Sequence, residues 1–244
     1  MLRDRWSVVI SKLKGHVAAV RQARSTYGRI AGLEYVVDYV GHKLVGLAVV
    51  RVVWLDVARL APHELVTGFD CRFLDPEEIR VFSRDPTNDL SEVMVDRAAA
   101  STDLCFASLF KEDGRLAAYG WYALECIEAE HNVGVAMSFP PDVAHMYKGF
   151  THPDFRGKRL HGVLMGMALH ELGSRGVTKL VSVVSWTNWP SLRSCDRLGY
   201  VVLGTTVSLG GGRLILHVPV AGKRLGVRFG SRAEKRRVAS PAPG

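Results

Sequence analysis

Residues 145–185 constrain the fold more than any other stretch. His145–Thr151 reads as a strand, and Pro153 blocks its extension. A short loop carrying Arg156, Gly157, Lys158 and Arg159 follows, and then a helix over 160–173 stopped by Gly173. Lys179–Ser185 reads as a buried strand, since Leu180, Val181, Val183 and Val184 leave no polar alternation. A strand, a loop, a helix and a strand in that order impose a crossover connection. The loop also has a chemistry of its own. The free amides of a helix's first turn and its positive dipole end attract anions, and the three cationic side chains reinforce that. The stretch therefore reads as a phosphate or pyrophosphate site at a strand-to-helix junction.

The surrounding elements make the class mixed α/β. Ala48–Leu55 and Val66–Leu74 read as strands. Asp75 is the expected N-cap of a helix that opens on Pro76. Asp89–Ala100 reads as a second helix. Leu104–Phe110 and Arg115–Cys126 read as strands joined at Glu112-Asp113-Gly114. A short helix over 190–198 ends at Gly199, and strands near 200–208 and 213–220 turn at Gly210-Gly211-Gly212. Residues 5–23 place Trp6, Val9, Ile10, Leu13, Val17 and Val20 on one helical face. Such a stripe packs on its own domain or lies on anionic lipid, and the sequence leaves both open. Residues 31–47 are apolar and glycine-punctuated, with no firm assignment. The expected organisation is a basic helical extension over 1–47, a main domain over 48–229 and a basic disordered tail over 230–244.

Charge divides along the same lines. The formal net charge is +8, but residues 1–30 carry +6 and residues 213–244 carry +7, leaving −5 on the middle. A basic nucleic-acid groove through the main domain is not expected. The four cysteines, at 71, 105, 126 and 195, form no C-x-x-C pair, so neither a zinc site nor a disulfide framework is expected. The reading is a reducing, cytoplasmic setting. No apolar stretch approaches the roughly 20 residues of a membrane span. A peripheral position at the inner membrane face stays open through the basic ends.

Two motifs carry a resemblance. Pro153-Asp154-Phe155-Arg156-Gly157-Lys158 resembles the x-Pro-x-x-Arg lead-in and the Arg/Gln-x-x-Gly-x-Gly/Ala loop of the GNAT superfamily of N-acyltransferases. Arg159 and His161 stand where that family has small residues. The stretch from Asn188 through Ser191 and Cys195 to Gly199-Tyr200 is similar to the family's Asn-x-x-Ala-x-x-x-Tyr-x-x-x-Gly-Phe. The resemblance spans about 66–220. It implies a GNAT-like fold with a central, mixed, mostly antiparallel sheet flanked by helices.

The resemblance also implies an activity: direct acyl transfer from a CoA thioester to an amine. The co-substrate would be acetyl-CoA or another acyl-CoA, with no metal. Cofactor contacts would come from Phe150, Thr151, Arg156, Gly157, Lys158, Arg159, Leu160, His161, Gly162 and Asn188, with His152 and His161 bordering the pyrophosphate. Cys195 falls where the family's general-acid Tyr stands. A thiol with an unperturbed pKa near 8.5 suits protonation of a departing thiolate. His145 and Tyr147 are candidate bases, placed by strand alternation on one face with Gly149 and Thr151. Trp186 and Trp189 are candidate walls of the acyl or acceptor pocket. The acceptor is a small-molecule or protein amine, set by the stretches about 75–101 and 127–142. Two alternatives remain open: a longer acyl chain delivered by an acidic carrier protein docked on the basic ends, and a non-catalytic protein that binds CoA or a partner.

Overall fold

The computed structural model describes residues 2–59, 66–100, 103–128, 135–221 and 225–230, with side chains from residue 15 onward. It opens with two helices, α1 (Leu2–Tyr27) and α2 (Arg29–Val45), and a strand β1 (Ala48–Asp56). Next come β2 (Phe69–Leu74), α3 (Pro76–Ser83), α4 (Glu92–Ala100), β3 (Leu104–Phe110) and β4 (Leu116–Ala123). Two short strands, β5 (Cys126–Ile127) and β6 (Ala136–Ser138), precede the crossover unit of β7 (Val143–Thr151), α5 (Leu160–Ser174) and β8 (Lys179–Ser185). The chain closes with α6 (Trp189–Arg197), β9 (Val201–Leu209), β10 (Leu214–Pro219) and β11 (Arg228–Gly230). The expected disordered tail lies, beyond Gly230, outside the described residues.

Eight strands form one sheet in the order β10-β9-β1-β8-β7-β4-β3-β2. Every neighbouring pair is antiparallel except β7 and β8, the pair joined by α5. This is the mixed, mostly antiparallel sheet that the sequence implies. β4 lies inside the sheet with all eight residues buried, because both faces are covered. Leu164, Met165, Ala168, Leu169 and Leu172 of α5 pack on one face with Phe106, Ala118 and Leu180. On the other, Ile79 and Met94 of α3 and α4 pack with Cys105, Tyr119 and Trp121. A small sheet, β11-β6-β5, covers the rest of that second face beside Val52 and Val181.

Local chemistry sets the element ends. Asp75 accepts a hydrogen bond from Glu78 N at 2.8 Å, and Glu78 Oε2 accepts from Asp75 N at 3.1 Å, a reciprocal capping box. Arg72 then grips both oxygens of Glu78. Replacing Asp75 with Ala is expected to cost about 1 kcal/mol in a urea titration. The helix read over Asp89–Ala100 starts later, at Glu92. A 3-10 turn at Pro86–Asn88 ends on Asp89 with φ +53°, and that left-handed residue breaks the helical run.

The unassigned segment 31–47 is mostly helix. α2 folds back on α1 through Gly28, whose φ is +98°. A Cβ on Gly32 would lie 3.3 Å from the Arg24 Cβ, so glycine permits this close approach. Of the stripe read on α1, Trp6, Val9, Ile10 and Leu13 lie outside the described side chains, while Val17 is exposed.

Candidate functional site

The parallel pair opens a cleft. β7 and β8 are paired only from Val143↔Lys179 to Met146↔Ser182. Beyond that point β7 follows β4 to Thr151, and β8 follows β1 to Ser185. The cause is a bulge. Trp121 faces Lys148 and Tyr122 faces Met146, which leaves Tyr147 as an extra residue. A bulge bends its strand and breaks the ladder. The resulting cleft, of about 760 Å3, is bounded by both parted strands, the 156–157 loop, α5 and α6. Backbone groups on the facing edges have no strand partner on the cleft side.

The bulge also overturns the alternation expected from sequence. His145 and Tyr147 pack on the second face of the sheet, whereas Gly149 faces α5, where His161 lies against it. His145 is fully buried, and its Nδ1 lies 3.1 Å from Val181 O. Desolvation holds its pKa down at about 4, and it does not line the cleft. His145 is therefore a buried structural residue rather than a base. Tyr147 does line the cleft, but its hydroxyl donates to Asp103 Oδ2 at 3.0 Å, and burial pushes its pKa well above the usual phenol range. It cannot be a base at neutral pH.

The loop between β7 and α5 borders the cleft in part. Arg156 and Gly157 line the cleft, with Arg156 Nε donating to Thr151 O at 3.3 Å. Gly157 has φ +81°, and a Cβ there would meet nothing within 4 Å. Arg159 sits at the N-cap of α5 with φ +59° and no side-chain cap, so the first-turn amides of the helix stay available. Neither Lys158 nor Arg159 lines the cleft. The Lys158 ammonium lies 5.5 Å from the centre of the Phe155 ring and 5.9 Å from that of Phe69, an aromatic seat that draws it away. Leu160 turns its side chain into the core, while Gly162 stays open. The Phe150 side chain stacks on Tyr119 on the far face, leaving its main chain and that of Thr151 on the strand.

His161 reaches further in than a pyrophosphate contact. Gly120 and Gly149 face each other across β4 and β7 and leave a hollow. The Met146 methyl, the Tyr122 hydroxyl and the His161 ring surround it; a Cβ on Gly149 would stand 2.5 Å from His161 Cε1. Burial lowers the His161 pKa, so the imidazole is neutral at pH 7. His152 does not border this cleft. Its Nδ1 accepts from Asp154 N, and it lines a separate cavity of about 220 Å3 with Asp85 and Arg115.

Cys195 projects into the cleft from α6. Burial pushes its thiol up to about 11, so it is not the thiol of ordinary acidity expected from sequence. It stays protonated at neutral pH, which rules out a resting thiolate nucleophile. A second hydroxyl was missed. Tyr200 lines the cleft and is buried; its hydroxyl donates to Met165 Sδ at 3.3 Å beside Ser182. The signal is position 200 of the second motif, where the family that the motif resembles has Phe.

Three further residues serve structure. Asn188 Oδ1 accepts from Ser191 N at 3.3 Å and caps α6, so that oxygen is not free for a pantetheine amide. Trp186 Nε1 donates to Asp38 Oδ1 at 2.8 Å, and Trp189 Nε1 donates to Glu34 Oε2 at 3.3 Å. Both indoles thus face α2, and neither walls the cleft. Three acidic side chains in the acceptor stretches are also engaged: Glu78 with Arg72, Asp89 with Lys148, and Asp142 with Lys179. Among the described residues, no group of three His, Cys, Asp or Glu could hold a metal ion.

No family model and no curated protein matches the sequence. Solved structures do match in shape. A tandem GNAT protein from the clavulanic acid biosynthesis pathway is 16% identical over 67% of this chain and 54% of its own, with a TM-score of 0.46. A GCN5-related N-acetyltransferase from Kribbella flavida is 15% identical over 81% of this chain and 67% of its own, with a TM-score of 0.46. One from Sphaerobacter thermophilus is 11% identical over 72% of this chain and 54% of its own, with a TM-score of 0.47. The chain thus spans about half to two thirds of the length of these structures. Within the chain itself, the two motifs lie on the strand, loop, helix, strand and helix where the sequence resemblance to GNAT acyltransferases puts them.

Proposed function

We propose that this protein is an acyl-CoA-dependent N-acyltransferase, with acetyl-CoA as the first donor to test and an amine as acceptor. One observation carries the reading: the parted parallel strands form a cleft whose mouth holds Arg156, a left-handed Gly157 and the uncapped start of α5. The residues fit the co-substrate. Arg156 and the amides of Gly157, His161 and Gly162 would hold its phosphates, and the free edge of β7 near Gly149–Thr151 would hold its pantetheine arm. When bound, the thioester supplies the activated acyl group.

The chain's own groups would meet the three needs of transfer. Main-chain N–H groups on the open β7 edge donate to the developing oxyanion. Tyr200 and Cys195, both protonated at neutral pH, donate hydrogen bonds to the departing sulfur. His161, neutral at pH 7, accepts the proton of the amine.

Two measurements test this. Saturating acetyl-CoA is expected to raise the melting temperature, and free thiol should appear when an amine panel is added. Arg156→Ala removes a charge-assisted contact and is expected to weaken acetyl-CoA binding about tenfold or more. No thermal shift with acetyl-CoA would remove the reading. The mass of any acyl-CoA that copurifies would fix the chain length.

A further inference from the structure

Helix α2 is used on two sides and open on the third. Ala31 and Gly32 are buried, Gly32 against Val20 and Arg24 of α1, and His16 of α1 bonds Tyr35. Glu34 and Asp38 turn to the main domain and accept the indole N–H groups of Trp189 and Trp186. The remaining face carries Ile30, Leu33, Val37, Val40 and Leu44, one continuous stripe at helical spacing. These side chains point to solvent: Ile30 is 74% exposed, Leu33 64% and Leu44 78%. A helix of a globular domain normally turns its apolar stripe inward; this one turns it outward.

Among the described side chains of the hairpin, the exposed charge has one sign. Between residues 15 and 45 the exposed charged side chains are Arg21, Arg24, Arg29 and Lys43, while the two carboxylates, Glu34 and Asp38, face inward. Residues 1–30 as a whole carry +6. Exposed apolar side chains also occur beyond α2. Gly210 N donates to Val45 O at 2.8 Å, so the helix end abuts the β9–β10 turn, and the edge strand β10 exposes Leu214, Leu216 and Val218.

We propose that the α1–α2 hairpin docks the protein on an anionic lipid surface, with the α2 stripe in the acyl boundary and the arginines among the headgroups. No described helix is long and apolar enough to cross a membrane, so the geometry is that of a helix lying in the interface. A second copy of the chain fits less well. It would set cations against cations, with no exposed carboxylate on the hairpin among the described side chains to pair them. The proposal stands independently of acyl transfer.

Vesicle co-sedimentation of the full chain tests it, with phosphatidylcholine vesicles against vesicles containing about 30% phosphatidylglycerol. Binding to the anionic vesicles is expected to exceed that to the neutral ones at least tenfold, and to fall several-fold in about 0.5 M salt. Leu33→Asp/Leu44→Asp changes only exposed positions and should keep the melting temperature while losing at least tenfold in vesicle binding. Arg21→Gln/Arg29→Gln should lose several-fold on the anionic vesicles alone. Equal binding to both vesicle types, binding to neither, or binding that the Asp variant leaves unchanged would overturn the proposal. A dimer detected by light scattering without lipid, and split by the same Asp variant, would assign the stripe to a second copy instead.

Discussion

Gly149→Val is expected to weaken acetyl-CoA binding about 100-fold while the sheet survives. Valine suits an extended strand, so the backbone itself does not object. The obstacle is the hollow between Gly120 and Gly149. Even a bare Cβ at 149 would stand 2.5 Å from His161 Cε1, 3.0 Å from the Met146 methyl and 3.1 Å from His161 Nδ1. Two more methyl groups leave His161 no choice but to swing out, and the space beside it is the cleft. Overpacking of this kind costs about 1–3 kcal/mol of stability. A displaced ring across the cofactor path should cost binding ~100-fold, the equivalent of about 3 kcal/mol. The thermal shift with saturating acetyl-CoA should vanish. Gly149→Val/His161→Ala frees the hollow and should recover most of the lost melting temperature. A single variant that still shows the full shift would mean that the ligand does not run along this strand.

That hollow shows where the sequence stops being legible. The elements themselves are written plainly. Leu104–Phe110 and Lys179–Ser185 are read to the residue, because short, mostly apolar runs bounded by polar or turn residues leave one assignment. α3 is legible from its cap, since Asp75, Pro76 and Glu78 each satisfy a distinct need of a helix start. α2 is not. Its apolar residues point to solvent and its inward contacts are two carboxylates, so the usual pattern of apolar-in and polar-out is inverted. Gly32 and Gly41 further disguise it as a loop.

The site is legible as a motif and obscure as chemistry. Arg156 and Gly157 reach the cleft because loop and helix follow directly from the strand. Lys158 does not, because its seat is two aromatic rings, one of which, Phe69, is remote in sequence. The bulge at Tyr147 carries no single-residue mark. Strand alternation counted from His145 therefore assigns the wrong face to everything beyond it. Cys195 lines the cleft, yet its acidity depends on burial that no local pattern encodes. The same holds for Tyr200, whose hydroxyl matters only because the fold aims it beside Ser182 and Met165.

Asp103→Ala is expected to be the most destabilising single change near the site, costing about 3–5 kcal/mol in urea unfolding. The Asp103 side chain is 2% exposed and that of Arg97 is 16% exposed. Asp103 Oδ2 accepts from Arg97 Nε at 3.0 Å and from the Tyr147 hydroxyl at 3.0 Å, with a second Arg97 nitrogen at 2.9 Å. Glu128 stands further off, 3.8 Å from the guanidinium. Alanine at 103 strips the nearest counter-charge from a guanidinium already withdrawn from water, and it also removes the carboxylate that accepts from the largely buried Tyr147 phenol. The cost is one of desolvation left uncompensated, so removing both charges should be milder: Arg97→Leu/Asp103→Leu is expected to unfold at higher urea than Asp103→Ala alone. A cycle that includes Arg97→Leu alone would isolate the coupling between the pair. The damage should also reach the cleft, because Tyr147 is the bulge residue that parts β7 from β8. Asp103→Ala should therefore weaken acetyl-CoA binding at temperatures where the chain is still folded, whereas Asp75→Ala, with its cap far along the sheet edge, should not. A loss of under about 1 kcal/mol for Asp103→Ala would mean that the pair behaves as a solvated surface bridge.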